Sequence, residues 1–297
     1  MQDLAGKVAV VTGGASGVGK GLAQALLDHG MRLVIADVEV DAIDRAVIEL
    51  GKHADAAGLG GTVEGVRTDV SDPESVAALA DQVYDRYGAC HLLCNNAGVT
   101  SGGGGKPWEQ EYNDWRWCYS VNVFGVANGA LEFVPRMLAS GEPGVVMNTS
   151  SGDGGFAPVP FASVYASSKA AVSCFTEALA HQLAAEEGAR VRACVFYPSG
   201  GLLDTGLWTA QRNRPSDLAR TKEREMTAQT TFAGYRDLLE SMGRPADVMD
   251  TYELGRFAVE GIRAGHYIIS FGLDDVSDLL HKRADAIARA ELPPPLH

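Results

Sequence analysis

The chain has no apolar run long enough to form a membrane span or the core of an export signal. Its opening stretch, MQDLAGKVAVVTGG, breaks into glycine after a few apolar residues. It has no basic excess either. Its 25 Lys and Arg against 38 Asp and Glu leave a formal charge of -13, so no cationic face is expected for nucleic acid or an anionic membrane surface. Cys90, Cys94, Cys118, Cys174 and Cys194 form an odd set without a CxxC pair, which speaks against a disulfide framework and suits a reducing, cytoplasmic setting. Cys90, His91 and Cys94 would make half of a metal site, but their partners are missing and the segment reads as an apolar strand, so no metal is expected. Internal repeats and linker-like stretches are also absent, which predicts a single domain over residues 1–297.

What is present is an alternation of short β-branched runs and longer helical stretches. Val8–Val11 precedes a helix over Gly17–His29; Arg32–Ala36 precedes Asp41–His53; Thr62–Thr68 precedes Pro73–Tyr87; Leu92–Cys94 precedes a long helix over Trp115–Ser140. Gly144–Thr149, Val164–Glu187 and Arg190–Tyr197 continue the series as strand, helix, strand. This order predicts an α/β fold, a doubly wound parallel sheet of Rossmann type. Residues about 199–245 lose the pattern and become polar and Arg-rich with scattered aromatics, as expected of a substrate lid. Beyond it, Ala246–Ala264 reads as a helix, His266–Phe271 as a closing strand, and about 274–297 as a terminal helix and Pro-rich tail.

Strand one runs into Thr12-Gly13-Gly14-Ala15-Ser16-Gly17-Val18-Gly19, which places glycines where a tight turn enters a helix and where a phosphate would need close approach to backbone. Alone, such a turn is equally an ordinary strand–helix connection. Strand two ends on Asp37, near the distance at which a carboxylate meets the adenosine ribose 2′-hydroxyl and repels a 2′-phosphate. Neither Ser16 nor Val38 is basic, so NAD is favoured over NADP; the competing reading of Asp37 is a solvated strand end. Gly102–Gly105 lacks a following Lys-Ser/Thr and reads as a mobile loop.

Tyr165 and Lys169 are four residues apart in a helical pattern, so their side chains share a face. Lowering a tyrosine by about three units from its usual value of about 10 takes roughly 4 kcal/mol, which a neighbouring ammonium can largely supply. Elsewhere such a pair is usually a solvated helix face.

Taken with Asp69-Val70 after strand three and Asn95-Asn96-Ala97-Gly98 after strand four, the glycine turn, Asp37 and the Tyr165–Lys169 pair resemble the short-chain dehydrogenase/reductase family. The resemblance implies a dehydrogenase that interconverts an alcohol and a ketone with a nicotinamide cofactor. By it, Gly13, Ser16, Gly17, Val18 and Gly19 hold the pyrophosphate, Asp69 and Val70 flank the adenine, and Asn96, Ala97 and Gly98 line the cleft. Tyr165 becomes the acid/base, Lys169 its partner and a ribose ligand, and Asn122 the holder of a relay water. Ser151, in an S-x-x-G context before Gly154, becomes the residue that steadies the substrate oxygen. Its distance to Tyr165 is one residue longer than is commonest in the family, and the loop Phe156–Phe161 can absorb the extra residue.

After strand six the family's Pro-Gly becomes Pro198-Ser199, which moves the register of the cofactor-contacting threonine to Thr205. Phe156, Phe161, Trp208 and Phe232 are the expected pocket aromatics, pointing to a bulky apolar or aromatic substrate. Val134–Gly141 and Tyr267–Ile269 further resemble bacterial Cα-dehydrogenases of lignin-derived aryl alcohols. Relatives assemble through the two long helices, so a homodimer or homotetramer is expected. The competing readings are a catalytically silent dinucleotide-binding sensor or scaffold, and a nucleotide-sugar epimerase or dehydratase of the extended branch. The second would carry a different glycine spacing and a larger C-terminal substrate domain.

Overall fold

Strands that alternate with helices can pair in parallel only through crossovers, which put helices on both faces of the sheet. The computed structural model, which describes residues 1–101, 104–222 and 230–296, has this form. Its sheet contains β1 (Val8–Thr12), β2 (Arg32–Asp37), β3 (Thr62–Arg67), β4 (Leu92–Asn95), β5 (Gly144–Thr149), β6 (Val191–Phe196) and β7 (Ile268–Ile269). The order is β3-β2-β1-β4-β5-β6-β7, and these pairings are parallel. The expected doubly wound Rossmann-type sheet is therefore the observed one. Between β1 and β4 the winding reverses, which opens a crevice beyond the carboxyl ends of those strands.

The helices are α1 (Gly17–Leu27), α2 (Val40–Ala57), α3 (Pro73–Tyr87), α4 (Tyr112–Tyr119), α5 (Gly125–Ser140), the single turn α6 (Gly152–Gly155), α7 (Ser163–Ala185), α8 (Phe232–Ser241), α9 (Thr251–Ala264) and α10 (Leu273–Ala288). One face of the sheet is covered by α1, α2 and α9 through Leu22, Leu26, Ile43, Leu50, Leu254 and Ile262. The other is covered by α3, α5 and α7 through Leu79, Val83, Phe133, Met137 and Leu183. Among the described residues no helix is long and apolar enough to cross a membrane.

Three local readings are corrected. The expected continuous helix over Trp115–Ser140 is broken at Ser120–Phe124 by a turn of π-helix, a form often found at functional sites. The helix expected from Ala246 starts at Thr251. Asp250 accepts hydrogen bonds from the N–H groups of Tyr252 and Glu253, while Asp247 and Met249 pair instead with Leu202. The closing strand is only two residues long, because the N–H of His266 turns back to Gly261 and that of Phe271 donates to the Ser199 hydroxyl. In the glycine loop, Gly102 and Gly103 lie outside the described residues, whereas Gly105 is fixed by a bond from its N–H to the Phe161 carbonyl at 2.9 Å.

Candidate active site

The glycine turn is shaped by its backbone. Gly13 and Gly17 adopt φ of +63° and +51°, which only glycine takes without strain, and a Cβ on Gly19 would lie 2.1 Å from the Gly13 carbonyl oxygen. Ser16 is the N-cap of α1 without a side-chain bond to the helix, so the N–H groups and positive end of the dipole are left to whatever binds there. Val18 packs on the core and anchors the first turn. Asp37, at the end of β2, accepts from the N–H groups of Ala15 (3.2 Å), Val38 (2.8 Å) and Glu39 (3.3 Å). Burial raises its pKa from the ordinary value and those N–H groups oppose the rise, so the carboxylate is held in place beside the turn.

The loop after β4 is stitched to the same turn. Thr12 Oγ1 accepts from the N–H groups of Asn96 (2.9 Å) and Ala97 (3.1 Å), and Asn96 Nδ2 donates to the Thr12 carbonyl at 3.0 Å. Asn95 Nδ2 donates to Asn148 Oδ1, and Asn148 Nδ2 to Thr176 Oγ1, both at 2.9 Å, which braces β4, β5 and α7 through their buried centre. Asp69 Oδ1 accepts from the N–H and hydroxyl of Ser71, and the Val70 carbonyl accepts from Asn128 Nδ2 at 2.9 Å. Gly98 leaves room for Lys169 Nζ and Asn122 Oδ1, which would lie 3.3 and 3.4 Å from a Cβ placed there.

Beyond β5 the candidate chemical groups converge. Ser150 is buried and engaged with the Lys169 carbonyl (2.7 Å) and Ser173 (2.8 Å), whereas the Ser151 hydroxyl caps α6 by accepting from the Asp153 N–H at 3.2 Å and lies near enough to the Tyr165 phenol to favour its deprotonation. The loop 156–162 joins α6 to α7 between them. Lys169 Nζ lies 5.8 Å from the Tyr165 ring centroid and donates to the Thr149 carbonyl at 2.9 Å. Burial lowers Lys169 to about 8. Burial also pushes Tyr165 upward, the Asp153 carboxylate adds to the rise, and the Ser151 hydroxyl opposes it. In the protein alone the phenol is therefore protonated near neutrality, and the expected lowering by Lys169 does not prevail. An ammonium about 6 Å away contributes on the order of 3 kcal/mol at an effective dielectric of about 20.

The π turn swings Asn122 into the core, where its amide is fully engaged. Oδ1 accepts from the Val99 N–H at 2.8 Å, and Nδ2 donates to the Val99 carbonyl (3.0 Å) and to Ser168 Oγ (2.9 Å). The side chain thus fixes the loop under Lys169. His91, read above as a possible half-site, has both ring nitrogens in use, with the Val8 N–H at 3.1 Å and Glu142 at 2.8 Å.

Sequence reasoning named Pro198, Thr205 and the aromatics above this floor, but not the contacts of Tyr235, Asp153, Asp114 and Leu296 that surround them. Pro198 precedes Ser199, whose hydroxyl ties the ends of β6 and β7, and Gly200-Gly201 then lead the chain over the crevice. Thr205 arrives beside the glycine turn, its Cβ 3.1 Å from a Cβ built on Gly17. Trp208 stands near Phe232 and Tyr235, with centroids at 6.0 and 5.6 Å, whereas Phe156 packs on Tyr197 at 4.5 Å and Phe161 is 37% exposed. Asp153 acts electrostatically on both Tyr165 and Tyr235. Leu296, from the Pro-rich segment, donates its N–H to the Pro158 carbonyl at 3.1 Å. Asp114, fully buried, holds Arg214 and Arg220 at 2.8 and 2.5 Å, and so seats residues 214–220 on α4. No local spacing announces any of these contacts.

Sheet, glycine turn and Ser–Tyr–Lys cluster together define an α/β protein of the kind that holds NAD or NADP. The model of the short chain dehydrogenases matches residues 7–215, and the chain belongs to that family. It is 44% identical over 173 residues to a Cα-dehydrogenase of Sphingobium, a match that takes in 58% of this chain and 53% of that one. The chain thus spans about half the length of that curated relative. A short-chain dehydrogenase/reductase from Burkholderia phymatum, solved in complex with NAD, superposes with a TM-score of 0.85 at 36% identity over 100% of both chains. A metagenomic short-chain oxidoreductase, solved in complex with NADP, superposes with a TM-score of 0.59 at 31% identity over 67% of this chain and 84% of that one.

Proposed function

We propose that this protein is an NAD-preferring dehydrogenase that interconverts a secondary alcohol and a ketone. The observation that carries the reading is the nearness of half-buried Ser151 and Tyr165 to the buried Lys169 at the carboxyl edge of the sheet. The donor set suits a dinucleotide. Gly13, Ser16, Gly17, Val18 and Gly19 present an uncapped helix N-terminus to its pyrophosphate, and Asp37 presents a carboxylate to its adenosine ribose. Asp69 and Val70 would flank the adenine; Asn96, Ala97, Gly98, Pro198 and Thr205 would line the nicotinamide half.

When bound, NAD supplies the acceptor for the hydride that leaves the carbinol carbon. In that direction Tyr165 would first give up its own proton to the solvent path and then, as phenolate, take the alcohol proton, while Ser151 would donate a hydrogen bond to the substrate oxygen as charge shifts there. Lys169, anchored on Thr149, holds its ammonium near the phenol and favours the phenolate. Asn122 fixes the backbone around Lys169, with a water beside it completing the path for the proton. The Trp208–Phe232–Tyr235 group and the Cα-dehydrogenase relative support a bulky aromatic or apolar alcohol. Phe124 and Leu131, 59% and 71% exposed along α5 and its π turn, support assembly as a homodimer or homotetramer through the long helices.

A screen of secondary alcohols at 340 nm with each cofactor tests this reading. Aryl carbinols with NAD are expected to give the fastest reduction. Absence of turnover with every alcohol and both cofactors would contradict it.

A further inference from the structure

Residues 205–213 carry Trp208 on the substrate side of the crevice, yet they are tied to its adenosine side. Arg212 reaches Glu39, two residues past Asp37, with Nη2 to Oε1 at 2.5 Å and Nε to Oε2 at 3.3 Å. Asn213 Nδ2 donates to the same Oε1 at 2.8 Å. The remaining nitrogen of the guanidinium binds its own segment: Nη1 donates to the Gly206 carbonyl at 2.8 Å and to the Thr209 carbonyl and hydroxyl at 2.9 Å each. A fork of this kind fixes orientation as well as distance, and Arg212 makes the whole 206–213 turn move as one piece with Glu39. At the other end of the segment Thr205 rests over Gly17. Ser16, Gly17, Glu39 and Arg212 share one cleft of about 410 Å³.

We propose that Glu39 is a positioning residue: through Arg212 and Asn213 it holds segment 205–213 closed across the bound dinucleotide, and so links cofactor retention to the substrate wall at Trp208. The proposal rests on the dehydrogenase reading above. The link to the wall is direct, since the Trp208 indole Nε1 donates to the Leu203 carbonyl at 2.8 Å and its ring meets Phe232 and Tyr235. Arg212 also holds the Glu39 carboxyl below its ordinary pKa, which favours its charged form beside the guanidinium. With the fork broken, the segment is free to lift from the adenosine side, cofactor leaves sooner and the substrate meets a wall that is no longer preformed.

Release of NADH from the full chain, followed by stopped-flow fluorescence without substrate, reads the first effect, and steady-state kinetics read the second. Glu39→Ala should speed release about fivefold, as fits a half-exposed pair, and should raise the substrate KM more than it alters kcat. The double variant Glu39→Ala, Arg212→Ala should release NADH no faster than Arg212→Ala alone, because the two residues act through one contact. An unchanged release rate in Glu39→Ala, or additive effects in the double variant, overturns the proposal. A wild-type chain that binds no NADH would overturn the dehydrogenase reading itself.

Discussion

At the carboxyl ends of β1, β4 and β5, position is set by buried backbone and amide bonds: Thr12 to Asn96 and Ala97, Asn95 to Asn148, Lys169 to Thr149. Above them, residues 205–222 are placed by charged side chains that reach across long stretches of sequence, Arg212 to Glu39 and Arg214 and Arg220 to Asp114. The floor is continuous with the core, so it is as rigid as the sheet. The strap is rigid only where its ion pairs are buried. Its two anchors differ in that respect: Asp114 and Arg214 are 0% and 5% exposed, whereas Glu39 and Arg212 are 29% and 38% exposed. On the reading proposed above, proton transfer falls to the better-buried part, and substrate and cofactor retention to the part with the more exposed anchor.

Removing the buried anchor should have the largest effect on stability. Asp114→Ala leaves Arg214 and Arg220 beside an empty acid, and a loss of about 3 kcal/mol in denaturant unfolding is expected. A loss under about 1 kcal/mol would mean that the strap is seated by the apolar packing of Ala210 and Leu218 around Trp117 instead. Next in size is the floor's carboxylate. Asp37→Ala should narrow the preference for NAD over NADP by about tenfold or more in kcat/KM, since repulsion of a 2′-phosphate is lost. An unchanged ratio would move cofactor choice from the floor to the strap.

The smallest effect is a titration. Burial lowers Lys169 to about 8, so it is charged below that pH and neutral above it, whereas an ordinary lysine keeps its proton to about 10.5. Because the unfolded chain binds the extra proton between those values, raising the pH through this window makes the Lys169 contribution to stability more favourable. An NMR titration of Lys169 Nζ without cofactor should show a midpoint near 8. A midpoint near 10.5 would show that water reaches the floor.

The division between floor and strap is also the division between what sequence reveals and what it hides. The glycine turn and the Tyr165–Lys169 pair are local, and their constraints, a positive φ and one helix turn, show as spacing. Ser151 is separable from Ser150 in the sequence only by its S-x-x-G context; in the fold Ser150 is buried and bonded to the Lys169 carbonyl and Ser173. The π turn was invisible because Ser120-Val121-Asn122-Val123-Phe124 keeps an ordinary helical pattern, and only packing of Asn122 on Val99 breaks it. The start of α9 was legible in Asp250 followed by Glu253, but the helix was read back to Ala246 because nothing local told of the pairing with Leu202. Glu39 and Arg212 are 173 residues apart, and no periodicity connects them.

The most direct test of the central claim compares wild type with Tyr165→Phe on the best alcohol, with NADH binding measured alongside. The floor should be unchanged by loss of one hydroxyl, so NADH should bind as before while kcat falls by about 10³-fold. Equal turnover by the two proteins would contradict the assignment of Tyr165 as the acid/base and, with it, the mechanism proposed for this fold.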